Sequence, residues 1–144
     1  MDKNIRELIK VRLEKAEEDI ETAEELLSLK RYRAAVNRSY YALFSITTAV
    51  LLTKKLERSK HSGVEAAFNQ YFIKSKIIEI EYGKIFDYVR KKREESDYTA
   101  KIMIERKTAE KIVQDSKKFI KRMKAYLKNI AAREKHSGVI SKAF

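Results

Sequence analysis

Residues 37–45 read NRSYYALFS and lead without a break into ITTAVLL. Arg38 stands seven residues before Ser45, two helical turns, so both side chains project from one face with Tyr41 between them. A guanidinium there can fork onto a phosphate, or it can pair with Asp97 or another carboxylate inside a bundle. Asn37 beside it can cap or cross-link helices, and Tyr40 and Tyr41 read as core residues more readily than as base-stacking ones. The stretch is therefore either the polar rim of a buried helix or the mouth of a binding or catalytic pocket. Metal chemistry is not expected: the chain has no cysteine and two histidines, without HExxH-type spacing. No cofactor is expected either.

The elements that position these residues are helical. The chain has 144 residues, no proline, three glycines and 38% charged side chains, a composition that favours long helices. Residues 4–29 carry the apolar stripe Ile5, Leu8/Ile9, Leu13, Ala16, Ile20, Ala23, Leu26/Leu27 on an acidic helix. A second helix is predicted from Tyr32 to Leu56, and a loop over 57–63. A short helix follows over 64–75, then a third long helix over 77–95, a turn at ESDYT (95–99) and a last helix over 100–132. These elements predict an all-α fold, an antiparallel up-and-down four-helix bundle with an extra short helix, in one domain over 1–133. Residues 134–144 are expected to form a frayed tail, although KHSGV occurs both at 60–64 and at 135–139. The second helix is apolar nearly all round, which predicts burial on two sides and a homodimer through it, with Ile46 and Val50 facing outward.

Charge is uneven. Residues 1–29 hold five basic and nine acidic side chains, 30–61 eight and one, 62–104 eight and seven, and 105–144 twelve and four. With a net charge of +12, that asymmetry points to a polyanionic partner, most simply nucleic acid, or to a merely solubilising surface. The N-terminus MDKNIRELIK shows no signal-peptide pattern, and the longest apolar run, Ala42 to Leu52, is short of the ~20 residues a bilayer requires. A cytoplasmic protein without membrane contact is expected.

Three segments together resemble the HEPN domain family, in its small single-domain prokaryotic branch: NRSYYALFS (37–45), KHSGVEAAFNQYFI (60–73) and RKKREESDY (90–98). The resemblance implies a helical bundle, usually homodimeric. Many members are ribonucleases, and many are paired with a minimal nucleotidyltransferase in toxin–antitoxin modules. The family's ribonuclease motif is an arginine followed after a short spacer by a histidine; Arg38 matches the arginine, and the histidine position falls on Ser45. Metal-free RNA cleavage needs a proton acceptor with a pKa near neutrality and a cation for the phosphorane oxygens, and serine cannot supply the first. A tyrosine that some relatives carry as an adenylylation site corresponds to Thr47.

The resemblance thus implies an RNA- or nucleotide-binding protein with a degenerate ribonuclease motif, its binding residues Asn37, Arg38, Tyr41, Lys60 and His61. The alternatives are an active metal-independent endoribonuclease that uses Arg38 with an unconventional base, or a non-enzymatic structural adaptor. His61 is expected out of reach within one subunit. Its loop follows the second helix, whose stretch from Ser45 to Leu56 spans about 16 Å at 1.5 Å per residue. Ser62 is expected to serve there as an N-cap. Asp97 and Tyr98 match the family's turn and are expected to tie the third long helix to the second.

Overall fold

A computed structural model describes residues 1–58, 60–98 and 103–136 of the protein. Among them lie five α-helices: α1 (Lys3–Ser28), α2 (Tyr32–Leu52), α3 (His61–Phe68), α4 (Ile80–Tyr98) and α5 (Arg106–His136), with a π-helical turn, Asn69–Ile73, directly after α3. The four long helices run up, down, up and down, and α3 with the π turn forms the crossover between α2 and α4. Cross-helix pairs fix these directions. Arg38 meets Asp19 and Arg12 meets the Thr48 carbonyl between α1 and α2, and Arg122 meets Glu79 and Lys118 meets Glu81 between α5 and the start of α4.

The stripes read from sequence are the buried ones. Ile9, Leu13, Ala16, Ile20 and Ala23 of α1 face Val36, Leu43 and Val50 of α2, while Ala109, Ile112, Phe119, Met123 and Leu127 close the core from α5. Phe68, Phe72, Phe86 and Phe119 form its aromatic centre, with ring centroids 5.6–6.2 Å apart. Gly83 lets α4 come close to the π turn, since a Cβ there would stand 3.0 Å from Asn69 Oδ1 and 3.3 Å from Ile73.

The second side of α2 is covered by its own chain. α2 packs against α1, α3, α4 and α5, and Ile46 and Val50, expected to face a partner subunit, are fully buried in one chain. An all-round apolar helix is here the central helix of the bundle, so its composition is no evidence for a dimer.

Several boundaries shift. α1, α2 and the π turn are each followed within three residues by one of left-handed conformation, Lys30 (φ 62°), Lys55 (φ 57°) and Lys76 (φ 63°). After each, a backbone N–H reaches back across the last turn: Arg31 to Leu26, Leu56 to Leu51, Ile78 to Phe72. These are glycine-type helix stops built on lysine, which a search for glycine overlooks. α2 therefore ends at Leu52, not Leu56. α3 begins at His61, inside the expected loop, and its N-cap is Lys60 rather than Ser62, with no side-chain cap bond. The expected turn ESDYT is helical through Tyr98. α5 begins at Arg106 and continues to His136, three residues into the expected tail; residues 137–144, with most of the second KHSGV, lie outside the described residues.

Ile46→Ala should cost about 2–5 kcal/mol in denaturant unfolding, the range for a buried aliphatic truncation. Ile46→Asp should unfold the chain rather than release a folded monomer.

Candidate functional site

The C-terminal half of α2 is closed on all sides. Its N-terminal half keeps one half-open strip of Asn37, Arg38, Tyr41 and Phe44, spaced to share a face. Arg38 donates from one terminal nitrogen to Asp19 Oδ1 at 3.2 Å, and its guanidinium carbon lies 5.2 Å from the Tyr41 ring centre. Asp19 is buried and also takes Lys15 at 3.1 Å. Arg38 thus pairs with α1 and not with Asp97. Its side chain stays 36% exposed, so part of the fork is open to an incoming anion.

Ser45 lies two turns further along, about 10 Å away along the axis. It is buried, and its carbonyl accepts from Thr48 Oγ1 at 2.7 Å. Thr47, at the position of the relatives' modified tyrosine, is fully buried. Neither side chain is open to a ligand.

His61 is not out of reach. Its Nδ1 is 2.9 Å from the Tyr40 hydroxyl, and its ring lies 4.4 Å from Phe44 and 5.9 Å from Tyr41, centre to centre. The reason is the stop at Lys55. Beyond it the chain leaves helical geometry and returns along α2, and extended backbone covers roughly 3.3 Å per residue against 1.5 Å in a helix. A few residues of loop therefore undo several turns of helix. Tyr40 is fully buried; desolvation pushes its hydroxyl up to about 12, with Arg93 opposing, so it remains a neutral phenol. Burial, and then the charge of Arg93, hold the His61 imidazole below its ordinary value, which keeps it neutral at neutral pH.

Arg93 of α4 is the residue that sequence reasoning missed. Its guanidinium carbon lies 4.7 Å from the Tyr40 ring centre and 5.5 Å from that of Tyr41, and its Nε is 3.1 Å from Asp97 Oδ2. Nothing in the run RKKRE distinguishes it from solvated neighbours. The helix-to-helix tie expected of Asp97 and Tyr98 runs elsewhere: Arg93 rests on the two tyrosines, and Arg33 of α2 donates to the Ser96 carbonyl. Among the described residues Asp97 meets Arg93, and Tyr98 is 85% exposed. Lys60 is exposed beside His61, and Asn37 makes no side-chain hydrogen bond among the described residues.

Two guanidinium groups and a neutral imidazole thus gather around one half-open phenol ring, that of Tyr41. Such a set can hold a phosphodiester and accept a proton. Part of the charge elsewhere is matched: Lys117 and Lys124 of α5 meet Glu24 and Glu17 of α1, and Lys118 and Arg122 meet Glu81 and Glu79, at 2.6–3.2 Å. The acidic first segment and the basic last one are in part each other's partners. No helix among the described residues is long and apolar enough to cross a membrane.

Fold and site together define an antiparallel helical bundle with an arginine- and histidine-bearing face on its central helix. The chain belongs to the HEPN domain family, whose model matches residues 9–137. It is 41% identical over 130 residues to a Methanocaldococcus jannaschii protein named "Putative toxin MJ0605", covering 90% of this chain and 96% of that one. A second protein of that organism, "Putative toxin MJ0142", is 38% identical, covering 87% and 86%. A Thermotoga maritima "UPF0332 protein" is 38% identical over 106 residues, covering 74% and 80%.

A histidine held below its ordinary pKa of 6.5 leaves the unfolded chain binding the extra proton in acid. Its contribution to stability is complete above that value and is lost as pH falls through the lowered one. Denaturation midpoints should therefore fall as pH drops below 6.5, and His61→Gln should flatten that limb. Ser45→His, which restores the family's motif in sequence, should destabilise by about 1–3 kcal/mol in the same assay, because the position is already buried.

Proposed function

We propose that the chain is an RNA-binding protein of toxin type, in which Arg38 and Arg93 seat a phosphodiester beside Tyr41 and His61 takes the place of the family's motif histidine. The observation that carries this reading is the 2.9 Å contact of His61 with Tyr40, which brings an imidazole to the arginine face despite Ser45. With Nδ1–H donating to the Tyr40 oxygen, Nε2 keeps a free lone pair. His61 then accepts the proton of the ribose 2′-hydroxyl as that oxygen attacks phosphorus. The 5′-oxygen leaves and takes a proton from solvent, which gives a 2′,3′-cyclic phosphate. The arginines neutralise the charge that develops on the non-bridging oxygens. Asn37 and Lys60 flank the strand.

The relatives' names support a partner protein, and we assign it as a minimal nucleotidyltransferase, with the pair acting in the cytoplasm. A second copy of the chain would dock along the edge of the half-open strip Asn37–Tyr41–Phe44, so that the two strips line one cleft and Tyr41 stays open to RNA. Light scattering that shows a monomer at micromolar concentration would remove this homodimer.

The test is RNA binding and cleavage by wild type, Arg38→Ala, Arg93→Ala and His61→Gln. Each arginine on a phosphate should contribute about 0.7 to the slope of log affinity against log salt on single strands, so the double alanine variant should flatten it by about 1.4. His61→Gln should bind normally and cleave about 10²–10⁴-fold more slowly, the usual worth of a positioned base. Wild type that binds and does not cleave leaves the degenerate-motif reading, a binding protein. Absence of binding at ~50 mM salt leaves the structural adaptor.

A further inference from the structure

His61, Glu65 and Phe68 stand at spacings of four and three along α3, so they form one stripe. Each meets a different surface. Phe68 enters the aromatic core against Phe86 and Phe119, and His61 meets Tyr40 and Phe44 of α2. Between them Glu65, 8% exposed, accepts from Arg90 Nε of α4 at 2.5 Å. Arg90 is itself fixed, with its terminal nitrogens donating to Asp87 at 2.7 Å and Glu94 at 3.1 Å.

α3 has only eight residues, and no side-chain cap holds its first turn. The contact at Phe68 is apolar and carries no directional bond. The single Nε–H bond from Arg90 to Glu65 is charge-assisted and directional, so it fixes the rotation of the helix more closely. Little net stability comes from this pair: burial pushes the Glu65 carboxyl up even with Arg90 bonded to it, and the desolvation of a buried ion pair offsets most of its attraction. What the pair supplies is orientation. One turn from Glu65, at the outer end of the stripe, that orientation decides whether the imidazole meets Tyr40.

We propose that Glu65, clamped by Arg90, is a positioning residue that sets the rotation of α3 and thereby holds His61 Nδ1 on the Tyr40 hydroxyl at the RNA site. The inference rests on the reading of His61 as the base of that site, but its readout does not. Long-range nitrogen–proton NMR reports the tautomer and titration of each of the two imidazoles, and His61→Gln assigns them. The variants are Glu65→Gln, which keeps shape and removes charge, and Arg90→Lys, which has no guanidinium Nε–H to donate to Glu65. Glu94→Gln is the control, since it removes an Arg90 contact without touching α3.

In Glu65→Gln and Arg90→Lys the His61 midpoint should rise toward ~6.5 and the tautomer preference should relax toward that of free imidazole, with circular dichroism unchanged. A purely electrostatic role for Glu65 would move the midpoint the other way, since a favourable anion is removed. RNA cleavage should fall at least about 10-fold in both variants, and Glu94→Gln should keep the wild-type signature. An unaltered His61 signature in folded Glu65→Gln and Arg90→Lys overturns the inference, whatever the RNA assay reads. Loss of fold in both also overturns it, because the pair would then hold the bundle and not a side chain. An altered signature in a protein whose wild type never cleaves RNA supports the positioning role and removes only the base assignment.

Discussion

Tyr40 is fully buried, and its hydroxyl has one hydrogen-bond partner among the described residues, the imidazole of His61. A buried phenol without a partner costs about 1–3 kcal/mol, so this single bond constrains where the crossover can go. With it the start of α3 sits against the middle of α2. Further along α3, Glu65 meets α4 and Phe68 meets the core. The Arg93 guanidinium lies 4.7 Å from the Tyr40 ring centre, so α2, α3 and α4 meet at one aromatic residue.

That arrangement separates the two ends of α2 by role. The C-terminal half, from Ile46 to Leu52, is enclosed by the chain itself and supplies the rigid part of the core. The N-terminal half stays half-open and polar, and its arginine is set by a buried aspartate on α1. A cation braced in this way loses little side-chain entropy when it meets an anion, which is the physical advantage of a preorganised site. The family's motif position, Ser45, falls where the helix is buried. The imidazole of His61 reaches Tyr40 and Phe44 of the same helix from a different element.

Electrostatics follow the same division. Lys117, Lys118 and Lys124 of α5 are answered by carboxylates of α1 and of the start of α4, so part of the charge asymmetry along the sequence cancels across helix faces. Exposed pairs of this kind contribute little to stability, roughly 0.2–1 kcal/mol each, and their consequence lies in the surface field. The segment 30–61, with eight basic residues and one acidic, has no acidic counterpart of similar size and includes Arg38, Lys60 and the approach to His61.

The sequence by itself determined the helices, their buried stripes and the family. Periodicity at 3.6 residues records which face of a helix leaves water, and Ile9–Leu13–Ala16–Ile20 and Ala109–Ile112–Phe119–Met123 state it directly. Arg38 was legible for the same reason, a cation out of place in an apolar run. Three things were decided only by tertiary structure. The helix stops at Lys30, Lys55 and Lys76 use the left-handed conformation without glycine, so no residue type marks them. The enclosure of Ile46 and Val50 depends on how many neighbours surround α2, which periodicity does not count. The meeting of His61, Arg93 and Tyr40 joins residues from three helices through the path of a loop. Sequence spacing measures distance along the chain, and a reversal after Lys55 makes that distance irrelevant to distance in space.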